Sequence, residues 1–185
     1  MQQIINNFTK MYRKEDLFIE ATPTQINRLR SLFGSGVSVI TDFYSRYQPN
    51  DVPMTKSYVR LLGIDTIIEE NTRGEPGKYL AEYGVYVFAV TVGGNVICVD
   101  TNDIVNGDAS VLIADENFCS YNTHHKCVEI GIVPREVLAQ HPQTELIELN
   151  YPNIIKCLTK IESSFMEFML KLSSNAYEDI EKYLE

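Results

Sequence analysis

The sequence predicts an α+β fold, and two observations predict it. Apolar residues repeat at helical spacing near both ends of the chain, whereas the middle holds β-prone runs joined by glycine. Helices outside and antiparallel strands between do not match the alternating order of a parallel βαβ sheet. At 185 residues the chain is expected to form a single domain, 1–185, because splitting begins at roughly 250 residues.

The first segment sets Ile4, Ile5, Phe8, Met11 and Tyr12 on one helical stripe. A second helix has a marked start, with Thr22 as N-cap, Pro23 at N1 and Gln25 completing a capping box. Ile26, Leu29, Leu32 and Phe33 form its apolar face, and Gly34 and Gly36 stop it. A third helix carries Val39, Ile40, Phe43, Tyr44 and Tyr47 and must end before Pro49.

The period then changes. Tyr58 to Leu62 reads as a strand, Ile64 to Asn71 as a short helix, and 72–78 as a turn-rich loop. Val85–Val92, Gly93-Gly94 and Asn95–Asp100 are the strongest hairpin signal, since glycine supplies the positive φ of a tight turn. Val85–Val92 is too apolar for clean alternation, so both of its faces should be partly covered. Phe88 and Val90 are expected in the core, with Tyr86 and Thr91 bordering solvent or a neighbouring element. Ser110–Ala114 gives a third run after the loop Asn106-Gly107-Asp108, and Cys127–Ile132 a fourth. Beyond Pro134, Ile154, Ile155, Leu158, Ile161, Phe165, Phe168, Met169 and Leu172 predict one long amphipathic helix. Ala176–Leu184 would extend it or begin another.

Composition narrows the function. The N-terminus lacks a basic region followed by an apolar one, and no apolar stretch approaches the roughly 20 residues of a membrane helix. A cytoplasmic protein with no membrane partner is therefore expected. Four scattered cysteines without a Cys-x-x-Cys point to reduced thiols. A net charge of −9 opposes nucleic acid as a partner and favours basic ones.

Chemistry-bearing motifs are sparse. Asp100–Asp108 resembles a calcium loop but has Val105 where an EF-hand needs glycine and Val111 where it needs glutamate, so a solvated acidic loop is expected there. Cys119, His124, His125 and Cys127 lie within nine residues, yet their spacing fits no familiar structural zinc pattern. The nucleophile elbow and the phosphate-binding loop are both missing. The expectation is a non-catalytic protein without cofactor or bound metal; a small enzyme or metal protein built on Cys119–Cys127 stays open as an alternative. The third histidine, His141, falls in a predicted loop or helix end.

The distinctive feature is electrostatic. From Tyr79 to His125, 47 residues carry no Lys or Arg but six acids: Glu82, Asp100, Asp103, Asp108, Asp115 and Glu116. All except Glu82 fall after strands or in connections. Asp100, Asp103, Asp108, Asp115 and Glu116 are accordingly expected to form one acidic face that receives a basic partner, where complementary charge speeds encounter.

Several segments in order resemble the SUKH superfamily, which includes fungal cell-wall regulators and bacterial immunity proteins. They are Val39-Ile-Thr-Asp-Phe-Tyr44, Leu61-Leu-Gly-Ile-Asp65 with Glu69-Glu70, Phe88–Asp100 around the Gly-Gly turn, and Ser164-Phe-Met-Glu-Phe168. The resemblance covers roughly residues 22–172. It departs from the family pattern at Val37-Ser38, where Leu-Pro is usual, at Gln48-Pro-Asn50, where Asn-Gly often stands, and in having no tryptophan. It implies an antiparallel sheet of about five or six strands flanked by N- and C-terminal helices. It also implies a protein that binds and blocks a cognate polymorphic toxin, often a nuclease or deaminase. An intracellular scaffold of the cell-wall-regulator kind is the other role the family offers.

Overall fold

A computed structural model describes residues 1–140 and 147–184. The N-terminal part runs α1 (Gln2–Tyr12), β1 (Phe18–Ile19), α2 (Pro23–Phe33), α3 (Ser38–Tyr47), β2 (Gln48–Pro49), β3 (Val59–Leu61), α4 (Ile64–Thr72) and α5 (Gly77–Ala81). The central strands are β4 (Val85–Thr91), β5 (Val96–Val105), β6 (Asp108–Ala114), β7 (Cys119–Asn122) and β8 (Cys127–Ile130). The chain continues through α6 (Arg135–Leu138), α7 (Tyr151–Cys157), β9 (Thr159–Glu162), α8 (Phe165–Ser173) and a 3-10 turn, Ile180–Leu184. His141 lies outside the described residues.

An antiparallel five-stranded sheet in the order β3-β4-β5-β6-β9 is the centre of the α+β fold. Its strands are mostly buried because helices pack on them. Phe88 of β4 meets Phe165 and Phe168 of α8 edge-on, with ring centroids 5.3 and 5.6 Å apart. Phe43 and Tyr44 of α3 extend the same aromatic cluster. The capping box forms as the sequence predicts: Gln25 N donates to Thr22 Oγ1 and Thr22 N to Gln25 Oε1.

Two expectations are corrected. The long C-terminal helix is broken at Leu158, and Thr159–Glu162 becomes an edge strand on β6. Leu158, Ile161 and Phe165 keep near-helical spacing across the break, which hides it. The restart is written at Ser164, whose Oγ accepts from Glu167 N at 3.1 Å as an N-cap. Asp100–Val105 is not a loop: after an irregularity in register, β5 runs on to Val105 and turns through Asn106-Gly107, both at positive φ. The fourth predicted run does form a strand, Cys127–Ile130, which pairs with β7 in a separate small sheet.

Strand phase in β4 also differs in part. Phe88 is buried, but Thr91 is buried too, while Val90 and Tyr86 are half-buried. The bulge between Val87 and Ala89 explains this, since one extra residue shifts which side chains share a face.

Candidate partner-binding groove

The cross-strand register sets Arg60 of β3, Val90 of β4 and Val96 of β5 side by side on one face of the sheet. These three floor an open groove of about 680 Å³. One wall comes from the helical corner, Glu70 on α4 and Glu75 in the turn before α5; the other comes from Glu116, Asn117, Cys119 and Ser120. Thr91, Val92 and Gly94 close the end at the β4–β5 turn.

Local chemistry fixes each wall. Asp115 Oδ1 accepts from Asn117 N at 2.7 Å, and its carbonyl accepts from Phe118 N, which tightens the turn carrying Glu116. Gly94 sits at φ 92 directly under the Glu116 carboxylate, which occupies the space a Cβ would need. Glu75 Oε1 accepts from Lys78 Nζ at 2.6 Å and from Tyr79 OH at 3.1 Å, so its carboxyl is held below the usual range by the lysine and then the phenol. Among the described residues, Arg60, Glu70 and Glu116 have no ion-pair partner. The groove therefore offers three carboxylates against one guanidinium, with Glu75 paired to Lys78 and Glu70 and Glu116 outnumbering Arg60.

The five acids expected to share a face do not. β6 separates them: Asp108 starts the strand and Asp115 and Glu116 follow it, roughly 20 Å apart at ~3.3 Å per residue. Asp100 is only 2 % exposed and accepts from Asn102 N, Asn102 Nδ2 and Tyr151 OH, the last at 2.9 Å. It ties α7 to the sheet. Asp103 pairs with Lys160 of β9 at 2.7 Å, and that ammonium holds its carboxyl low. Asp108 accepts from Ser164 Oγ, Phe165 N and Met166 N, at 2.6, 3.0 and 3.2 Å, and so holds the N-terminus of α8. Only Glu116 lines the groove, with Asp115 supporting it.

Arg60, Glu70 and Glu75 were not among the sequence-predicted site residues. Arg60 alternates with the buried Val59 and Leu61, a signal that it faces away from the core. The glutamates come near it only through the placement of α4 and α5.

Other candidate chemistry is dispersed. Cys98 and Cys119 are buried, and burial pushes both thiols up, Cys119 to about 12, with the Glu75 charge adding to the effect. Thiolate nucleophiles are disfavoured at both positions. His125 Nδ1 lies 2.9 Å from Glu129 Oε1 on the exposed β7–β8 hairpin, while Cys119 points inward. No group of three or more His, Cys, Asp or Glu side chains among the described residues is arranged to hold a metal ion. Nor is any described helix long and apolar enough to cross a membrane. Comparison with protein-family models, with curated proteins and with solved structures finds no match.

Proposed function

We propose that the chain is a non-catalytic protein-binding module, an immunity protein of SUKH type that neutralises a cognate nuclease or deaminase toxin with a basic surface. The observation that carries this reading is the groove, where Glu70 and Glu116 stand unpaired on opposite walls of a cleft open to a macromolecule. The net charge of −9 acts in the same direction at long range. Such charges chiefly accelerate encounter and reject like-charged partners. Toxins that act on nucleic acid carry basic clefts, and an acidic module can occupy one in place of the phosphate backbone. The five-stranded antiparallel sheet with flanking helices agrees with the architecture that the SUKH resemblance implies.

The test is co-expression with the toxin-like product of the adjacent gene, followed by association kinetics of the purified pair. The expected result is a complex whose association slows steeply between 50 and 300 mM salt, because exposed charges are screened beyond ~8 Å at physiological ionic strength. Glu70→Lys with Glu116→Lys should weaken it at least tenfold and abolish protection of toxin-expressing cells. A salt-insensitive complex indifferent to both reversals would remove the groove from the account. Absence of both complex and protection would remove the immunity role.

A further inference from the structure

The mode of docking can be taken further, on the premise that the partner is a basic protein. Main-chain hydrogen bonding around β7 supplies the argument. Gly131 N donates to Phe118 O, so in the β7–β8 register the bonded pairs are Ser120 with Glu129 and Asn122 with Cys127. The far side of β8 is taken: Ile130 N donates to Ile147 O, and Leu149 N to Val128 O. These two bonds confirm the phase, because they use the alternate residues. Cys119 and Tyr121 therefore turn their N–H and C=O groups away from β8, on the open side of β7.

Among the described residues, nothing donates to or accepts from those main-chain groups. Cys119 is 2 % exposed, and a main-chain polar group in so buried a residue is ordinarily paired. Two other edges are covered. Thr55 bonds both main-chain groups of Val59 on the outer side of β3, and Asn71 does the same for Val87 of β4. The outer strand at the opposite end of the sheet, β9, has its charges already paired, Lys160 with Asp103 and Glu162 with Lys171, so it offers an incoming cation no unpaired acid. Cys119 and Ser120 instead border the acidic groove, opposite Glu75.

We propose that an extended basic segment of the partner adds to β7 as a new strand and lies in the groove. Its main chain pairs with Cys119 and Tyr121, and its alternate lysine or arginine side chains reach Glu70 and Glu116. Strand addition of this kind takes affinity from the main chain and specificity from alternate side chains.

The probe is a capped eight-residue peptide alternating Lys with Thr and Val, measured by fluorescence anisotropy and by amide shifts of the protein. It should bind saturably and move the amides of residues 119–122, while its Glu-for-Lys counterpart should not bind. N-methylation of one alternate set of peptide residues should weaken binding at least tenfold, and methylation of the other set should be tolerated, since only one edge pairs. Tyr121→Pro should weaken binding similarly, because the N–H it removes is not used by β8; a circular-dichroism melt checks its fold, and the methylated peptides test the same point without altering the protein. If neither methylation matters while Glu116→Lys abolishes binding, strand addition is wrong and the acidic groove alone survives. If the lysine peptide fails to bind, or the glutamate peptide binds equally, strand addition in this groove is overturned.

Discussion

Asn71 completes the edge of β4 by pairing with Val87 as a neighbouring strand would. Its Oδ1 accepts from Val87 N at 2.8 Å, and its Nδ2 donates to Val87 O at 2.8 Å and to Ile67 O at 2.7 Å. β3 reaches only Ala89 on β4, so the main chain of Val87 would otherwise be buried without partners. Asn71→Leu should therefore cost ~2–4 kcal/mol, the penalty of leaving a buried donor and acceptor unmade. Urea unfolding should show a lower midpoint at unchanged slope. A loss below half a kcal/mol would mean that water or a shift of α4 replaces the carboxamide.

Asp108 is expected to behave as a structural residue and not as a binding one. Its carboxylate receives the first two amides of α8 and the Ser164 hydroxyl, which in turn accepts from Glu167 N. Removing such a cap typically costs ~1–2 kcal/mol. Asp108→Ala should lower the melting temperature, and Ser164→Ala added to it should cost less than its separate effect because the two side chains form one relay. Binding of a basic partner, measured where both variants are folded, should be unchanged. A partner affinity that fell with Asp108 while the melting temperature held would restore it to the binding surface.

These roles mark what could be read from sequence. The capping box at Thr22, the hairpin about Gly93-Gly94 and the helical ends were legible because each depends on neighbours in the chain. The break at Leu158 was not, because a four-residue edge strand owes its existence to β6, some 50 residues earlier. The acidic run was visible, but its meaning was not. Asp100 and Asp108 are consumed by Tyr151 and α8, partners that only tertiary structure supplies, and Glu70 enters the groove through helix placement. A run of like charge in sequence sets the field of a segment, whereas a face needs a common side of the sheet.

Tyr151 gives a pH-dependent signature. Burial, then its hydrogen bond to Asp100, raises its phenol from 10.0 to about 12. A phenol whose folded value lies above the unfolded one contributes stability that is full below about pH 10 and is lost as pH rises through the folded value. Between these limits the folded state binds more protons than the unfolded, so stability must fall with pH. Tyr44 and Tyr177 are raised too, so the wild type should decline steadily in this range. Tyr151→Phe should be less stable at pH 8, because Asp100 loses a donor, yet decline less steeply from pH 10 to 12. Parallel curves for the two proteins would show that the phenol is not coupled to Asp100 in solution.

Glu181 should act as a local clamp on the rim of the groove. Its Oε1 accepts from Thr91 Oγ1, from Gly93 N at 2.9 Å and from Asn95 Nδ2 at 3.2 Å, joining the C-terminal turn to the β4–β5 connection. The turn is itself anchored next door, where Ile180 is fully buried and Ser57 Oγ donates to Tyr177 O at 2.7 Å. The carboxylate also lies where a Cβ on Gly93 would sit, so a side chain there would push the Glu181 head aside. Loss of the carboxylate leaves the Gly93 amide, in an exposed residue, free to meet water. Glu181→Ala should therefore speed hydrogen exchange at Gly93 at least tenfold, while amides of the central strands, such as Val99 and Ile113, keep their wild-type rates. Glu181→Gln, which keeps an acceptor oxygen, should fall between the two. Because Gly94 and Val92 border the groove, the alanine variant should also bind the lysine peptide more weakly through a faster off-rate. Unchanged exchange at Gly93 would show that the strand geometry alone holds the turn, and that the C-terminal segment has no part in shaping the groove.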